Sequence, residues 1–157
     1  MESVTVNRTG KNLIVTRVLN APRELVFEVW TDPEHLAHWY GPNGFTITTH
    51  EIDVKPGGVW KFMMHGPDGR DYPNKIIFSE VVKPEKLVYH HASDDDTEPV
   101  SFHVTVTFEA EEGKTKLTMN SDFGSPEELE RVDKEYGAIE GDKQTITRLA
   151  EYLLSIQ

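Results

Sequence analysis

SPEELERVDKEYGAIEGDKQTITRLAEYLLS, residues Ser125–Ser155, repeats its apolar side chains at helical spacing. Leu129, Val132 and Tyr136 fall on one stripe, continued by Ile139, Ile146, Leu149 and Leu153. Ser125 with Glu128 reads as a capping box, and Pro126 suits the first helical position. The expectation is one continuous helix from Ser125 to about Ser155. A helix of about 20 residues is roughly 30 Å long, enough to lie across a whole sheet. A curved antiparallel sheet closed by such a helix encloses a cavity, and cavities hold ligands.

Upstream of that helix the pattern is mostly strand. Leu13 to Leu19 is a β-branched, alternating run. Pro22 then opens a helix from Arg23 to Trp30, and Asp32-Pro33-Glu34 starts a second, short one. Gly41-Pro42 and Asn43-Gly44 end it near Tyr40. Six strands follow: Phe45 to Val54, Val59 to His65, Asn74 to Val82, Leu87 to His91, Val100 to Glu109 and Thr115 to Ser121. Pro56-Gly57-Gly58 is a hairpin turn between the first two of these. Phe102, Val104, Val106 and Phe108 form one face of their strand, with polar residues on the other. For Asn74 to Val82, periodicity leaves two inward faces open: Ile76, Phe78 and Glu80, or Ile77, Ser79 and Val81. The order β-α-α-β6-α, with short turns, predicts an α+β fold built on an antiparallel meander.

The chain has 157 residues, which predicts a single domain, 1–157, with the polar segment 1–11 less ordered. Lys+Arg number 16 against Asp+Glu 27, a net charge of -11. Such acidity argues against a nucleic-acid partner or an anionic membrane face. No cysteine is present, so disulfides, thiolate metal sites and a cysteine nucleophile are excluded. Met1 to Lys11 lacks the apolar run of a signal peptide. No stretch approaches the about 18 apolar residues of a spanning helix. These features predict a cytoplasmic protein with no membrane insertion.

Arg17-Val18-Leu19-Asn20-Ala21-Pro22, Val26-Phe27, Thr31-Asp32-Pro33-Glu34 and Trp39-Tyr40-Gly41-Pro42 occur in the order seen in one family. So do Asp53 with Pro56-Gly57-Gly58-Val59-Trp60, then Pro84-Glu85-Lys86-Leu87, and Arg148-Leu149-Ala150-Glu151-Tyr152-Leu153. Together they resemble the activator of heat-shock protein 90 ATPase homologue family, from about residue 12 to 154. That resemblance implies the START-like helix-grip fold, a curved sheet wrapped around a long C-terminal helix with an internal cavity. The resemblance implies that the family's eukaryotic namesakes bind a chaperone and stimulate its ATPase using a further domain, which is not expected within these 157 residues. The wider superfamily holds lipids, sterols, polyketides and plant hormones, and some relatives are cyclases or aromatases.

No nucleophile motif, phosphate loop or HExxH pair is present, so no catalytic residue, metal or cofactor is assigned. His35 and His38 are three apart on the short helix, a spacing that serves metal ligation or a solvated face. Asp94-Asp95-Asp96 with Glu98 reads as a solvated acidic loop, lacking the spacing of a calcium loop. His90 and His91 point to opposite faces of a strand; alternation with Leu87 and Tyr89 turns His91 inward. There it is a core histidine, or a hydrogen-bonding group or base for a ligand. Trp39, Trp60, Met64, Tyr89 and Phe102 are the expected cavity wall. Asp142 lies on the stripe of Ile139 and Ile146, where the resembling family usually carries tryptophan after Gly141. It either meets water beyond the sheet or lines an enlarged, more polar pocket. The function expected is non-catalytic binding of a small apolar or aromatic molecule, such as a lipid, polyketide or flavonoid. A chaperone-binding module and a pocket enzyme of hydrolase or cyclase type are the alternatives.

Overall fold

The computed structural model describes residues 4–93 and 101–157. The acidic run Asp94–Asp96 with Glu98 lies outside the described residues, as does Val100. Eight strands and four helices follow one another: β1 (Thr5–Thr9), β2 (Asn12–Leu19), α1 (Arg23–Thr31), α2 (Pro33–Trp39), β3 (Thr46–Ile52) and β4 (Val59–His65). Then come β5 (Asp71–Val82), β6 (Lys86–Ser93), β7 (Ser101–Glu111), β8 (Lys114–Asp122), α3 (Pro126–Tyr136) and α4 (Ala138–Ser155). The strands form one antiparallel sheet in the order β1-β2-β8-β7-β6-β5-β4-β3. This is the antiparallel α+β meander that the element order predicts and the helix-grip fold that the resemblance implies.

Local chemistry accounts for the helix starts. Asp32 accepts a hydrogen bond from the Glu34 N–H at 2.9 Å, with Pro33 at the first helical position of α2. Ser125 Oγ accepts from the Glu128 N–H at 3.1 Å, again with proline next. Apolar positions Ile146, Leu149 and Leu153 of α4 are buried against the core under the sheet. That core is dense in aromatic rings, with Trp39, Trp60, Phe62 and Phe108 all fully enclosed.

Three features differ from the sequence reading. The expected single C-terminal helix is two helices. Gly137 takes a left-handed conformation, φ +66, and its N–H bonds the Asp133 carbonyl at 2.7 Å. Glycine reaches this region without the steric cost other residues meet, so it ends α3. The Asp133 carboxylate then accepts from the Ile139 N–H at 3.0 Å and caps α4. Leu129 and Val132 of α3 pack with Leu13 and Phe123, a cluster that Ala138 and Ile139 at the start of α4 also border, while Ile146, Leu149 and Leu153 of α4 serve the main core.

Within the N-terminal segment 1–11, which the polar sequence does not mark as a strand, Thr5–Thr9 form β1, an edge strand that pairs with β2 from Thr5↔Thr16 to Thr9↔Asn12. Its Val6 packs against the core. In β5 both suggested faces are used in succession. Ile76 and Phe78 are buried, then a bulge between Phe78 and Glu80 shifts the register and Val81 packs inward. One extra residue reverses which side chains face in, which is why strict alternation could not decide.

Candidate ligand cavity

Between α4 and the concave face of the sheet lies a cavity of about 380 Å³. This is at the small end of the range for small-molecule sites. Its far wall comes from alternate residues of neighbouring strands: Met64 on β4, Tyr89 and His91 on β6, Phe102 and Val104 on β7, Met119 and Ser121 on β8. Gly141, Asp142 and Thr145 of α4 form the near wall. The rim is the 40–45 loop after α2 together with Glu135 to Ala138 at the break between α3 and α4.

The rim loop is pinned by α4. Arg148 Nη1 donates to the carbonyls of Gly41, Pro42 and Phe45 at 2.8, 3.0 and 3.2 Å. Gln144 Oε1 accepts from the Asn43 N–H at 3.0 Å. Gly41 has φ +106, and a β-carbon there would sit 3.2 Å from the Met64 methyl. The loop therefore approaches the cavity wall more closely than another residue would allow.

Five of the seven expected site residues line this cavity: Met64, Tyr89, His91, Phe102 and Asp142. Trp39 and Trp60 do not. Trp39 turns back against α1, where its Nε1–H donates to the Val29 carbonyl at 3.0 Å. Trp60 stacks on Phe62 with ring centroids 4.1 Å apart, and its Nε1–H donates to Thr49 Oγ1 at 3.2 Å. Both lie behind Tyr40, whose ring meets Trp39, Trp60 and Phe62 edge-on. The cavity-facing aromatic at this corner is thus Tyr40, one residue past Trp39, and the cavity-facing tryptophan is Trp30. Trp30 was legible only as an apolar helix position. Its role comes from α1 packing beside the sheet, which no local pattern encodes.

Besides Ser121, Thr145 and the rim residue Glu135, two sets of polar groups line the cavity. His91 Nε2–H donates to Asn74 Oδ1 at 2.9 Å, and the Asn74 amide donates to the Tyr72 carbonyl at 2.9 Å. The amide orientation sets the tautomer, leaving His91 Nδ1 as an acceptor. Burial, reinforced by neighbouring His90, lowers the His91 pKa to about 4, so the ring is neutral at pH 7.

The second set is Asp142, Tyr40 and Tyr89. Burial raises the Asp142 pKa to about 7, and among the described residues no hydrogen bond or ion pair lowers it. The pKa values of Tyr40 and Tyr89 are also raised, by burial first and then by nearby charge that includes Asp142. The Tyr89 hydroxyl also interacts with the Trp30 indole. Of the two readings for Asp142, the geometry is that of a cavity-lining carboxyl.

The histidines of α2 lie elsewhere. His35 Nδ1 is 2.6 Å from the Tyr152 hydroxyl, and His38 stacks on the same ring. Ligand atoms of Glu28, Asp32 and His35 lie within 4.8 Å of one another. Asp32 already caps α2 and His35 already holds Tyr152, so the group is accounted for as packing at the corner between helices.

The family described as Activator of Hsp90 ATPase homolog 1-like protein matches residues 20–154. No curated protein matches the sequence. Among solved structures, one from Arthrobacter aurescens is 25% identical, with a TM-score of 0.89, covering 96% of this chain and 91% of that one. One from Mycobacterium smegmatis is 26% identical, TM-score 0.85, covering 96% of each chain. One from Nitrosomonas europaea is 28% identical, TM-score 0.81, covering 92% and 94%.

Proposed function

The chain belongs to the Activator of Hsp90 ATPase homolog 1-like family, and on that premise we propose that it binds a small apolar or aromatic molecule in the cavity between α4 and the sheet, without transforming it. The observation that carries this reading is the cavity itself: about 380 Å³, walled by aromatic and methionine side chains, with two small sets of polar groups among them. Apolar area orients nothing by itself; the few convergent polar groups supply the selectivity.

Native mass spectrometry of freshly purified protein tests it. A co-purifying small molecule is the expected result. Asp142→Trp should fill the cavity from the α4 side, keep the circular dichroism spectrum and lose the bound mass. An unaltered bound mass in that variant would place the ligand elsewhere.

A second reading, a chaperone-binding module, is favoured by the family's name. It predicts recovery of a chaperone by pull-down from protein with an empty cavity. In that case Asp142→Trp would leave the interaction intact.

A further inference from the structure

We propose that the cavity's ligand carries a protonated amine, held by the Asp142 carboxylate against the faces of Tyr40 and Tyr89. The inference rests on the binding function proposed above and names its chemical class. It starts from a charge imbalance. No lysine or arginine lines the cavity among the described residues, while Asp142 and Glu135 both do. The nearest cations along α4 are engaged elsewhere. Arg148 is spent on the three carbonyls of the rim loop, and Lys143 pairs with Glu140 at 3.8 Å. His91 is neutral and donates to Asn74.

Glu135 at the rim is already paired with Arg131 at 3.2 Å. A carboxylic acid or phosphate entering here would meet the Asp142 carboxylate with no lysine or arginine beside it in the described cavity lining. An amine would meet the reverse. Among the described residues, Asp142 has no hydrogen-bond or ion-pair partner, and it faces the cavity. A carboxyl group held in this way is costly to the fold until a cation or proton arrives. An ammonium supplies the charge, and its three N–H donors suit the carboxylate oxygens. The surrounding rings add attraction of a second kind. Tyr40, Tyr89 and Trp30 all border the cavity, and aromatic faces attract cations within about 6 Å of the ring centroid. The remaining wall, including Phe102 and Met119, accepts the ligand's apolar body. The net charge of -11 favours the approach of a cation over an anion.

The experiment compares phenylbutylamine, phenylbutanol and phenylbutyrate, three probes of one shape and different charge, by calorimetric titration of the full-length protein at pH 8. The amine should bind about tenfold tighter than the alcohol, the order expected for a charge-assisted hydrogen bond, and the acid weakest. Asp142→Asn, checked for its fold by circular dichroism, should bring the amine down to the alcohol's affinity and change the alcohol's affinity far less than the amine's. Tyr40→Leu should weaken the amine more than the alcohol. If alcohol and amine bind equally and Asp142→Asn alters neither, the amine assignment is overturned while cavity binding stands. If none of the three binds, cavity binding of this ligand class falls as well.

Discussion

Asp142 and His91 work in opposite directions on stability. Asp142 is raised from 3.8 to about 7, so the folded chain holds a proton that the unfolded chain has released. The stability from that proton is present below pH 4 and is lost as pH rises through 7. His91 is lowered from 6.5 to about 4, so the unfolded chain takes up the proton first as pH falls. Its contribution is present above pH 6.5 and is lost as pH falls through 4. Asp142→Asn should therefore stabilise the empty protein at pH 8 by roughly 2–4 kcal/mol, and hardly at all near pH 4. Urea unfolding of both proteins across that range measures it; equal stabilities at pH 8 would mean a well-solvated carboxylate. Phe102 provides a second test at this scale. It lines the cavity and is partly exposed, while Phe108 on the same strand face is 1% exposed. Phe108→Ala should cost about 3–5 kcal/mol, and Phe102→Ala clearly less, because its ring already lacks neighbours on one side.

The break between α3 and α4 is the feature whose chemistry is most open to test at the scale of elements. A β-carbon added at Gly137 would meet nothing within 4 Å, so the cost of Gly137→Ala is conformational. Alanine in the left-handed region costs about 1–2 kcal/mol. Were residues 125–155 one continuous helix, the same change would stabilise by about 1 kcal/mol. The sign of the change in melting temperature decides between the two. Arg148 links α4 to the rim loop through three carbonyls. Arg148→Met keeps most of the apolar stem but strands those acceptors. It should raise hydrogen exchange at Asn43 to Phe45 and leave the sheet amides protected.

Ligand binding should register across the whole molecule, because the cavity touches α1, α4 and strands of the same core. Ligand at about 100 times its dissociation constant should add roughly 2.7 kcal/mol, or about 5–10 °C in melting temperature. Of the three tryptophans, Trp30 alone borders the cavity. Its fluorescence should change on binding, and Trp30→Phe should abolish the change. Trp39→Phe and Trp60→Phe should retain it. A signal that survives Trp30→Phe would locate the ligand away from this cavity. None of the described helices is long and apolar enough to cross a membrane.

Much of this protein was legible in its residue order, because much of it is set by local rules. Period-two and period-3.6 patterns specified most elements. Proline after a capping residue marked the starts of α2 and α3. Alternation from Leu87 turned Tyr89 and His91 inward, and helical spacing from Ile146 placed Asp142 on the sheet-facing stripe. Tertiary structure decided the rest. A single bulge reversed the face of β5 partway along, and the pairing of a short polar segment with β2 created β1. Gly137 was visible, yet two separate apolar clusters explain why the chain bends there. Tyr40 screens Trp39 and Trp60 from the cavity, while Trp30 reaches it from α1. Which large side chain faces a cavity depends on what packs behind it, and that is settled by contacts between residues distant in sequence. The same holds for the Asp142 pKa, which comes from the protein enclosing the carboxyl rather than from its neighbours along the helix.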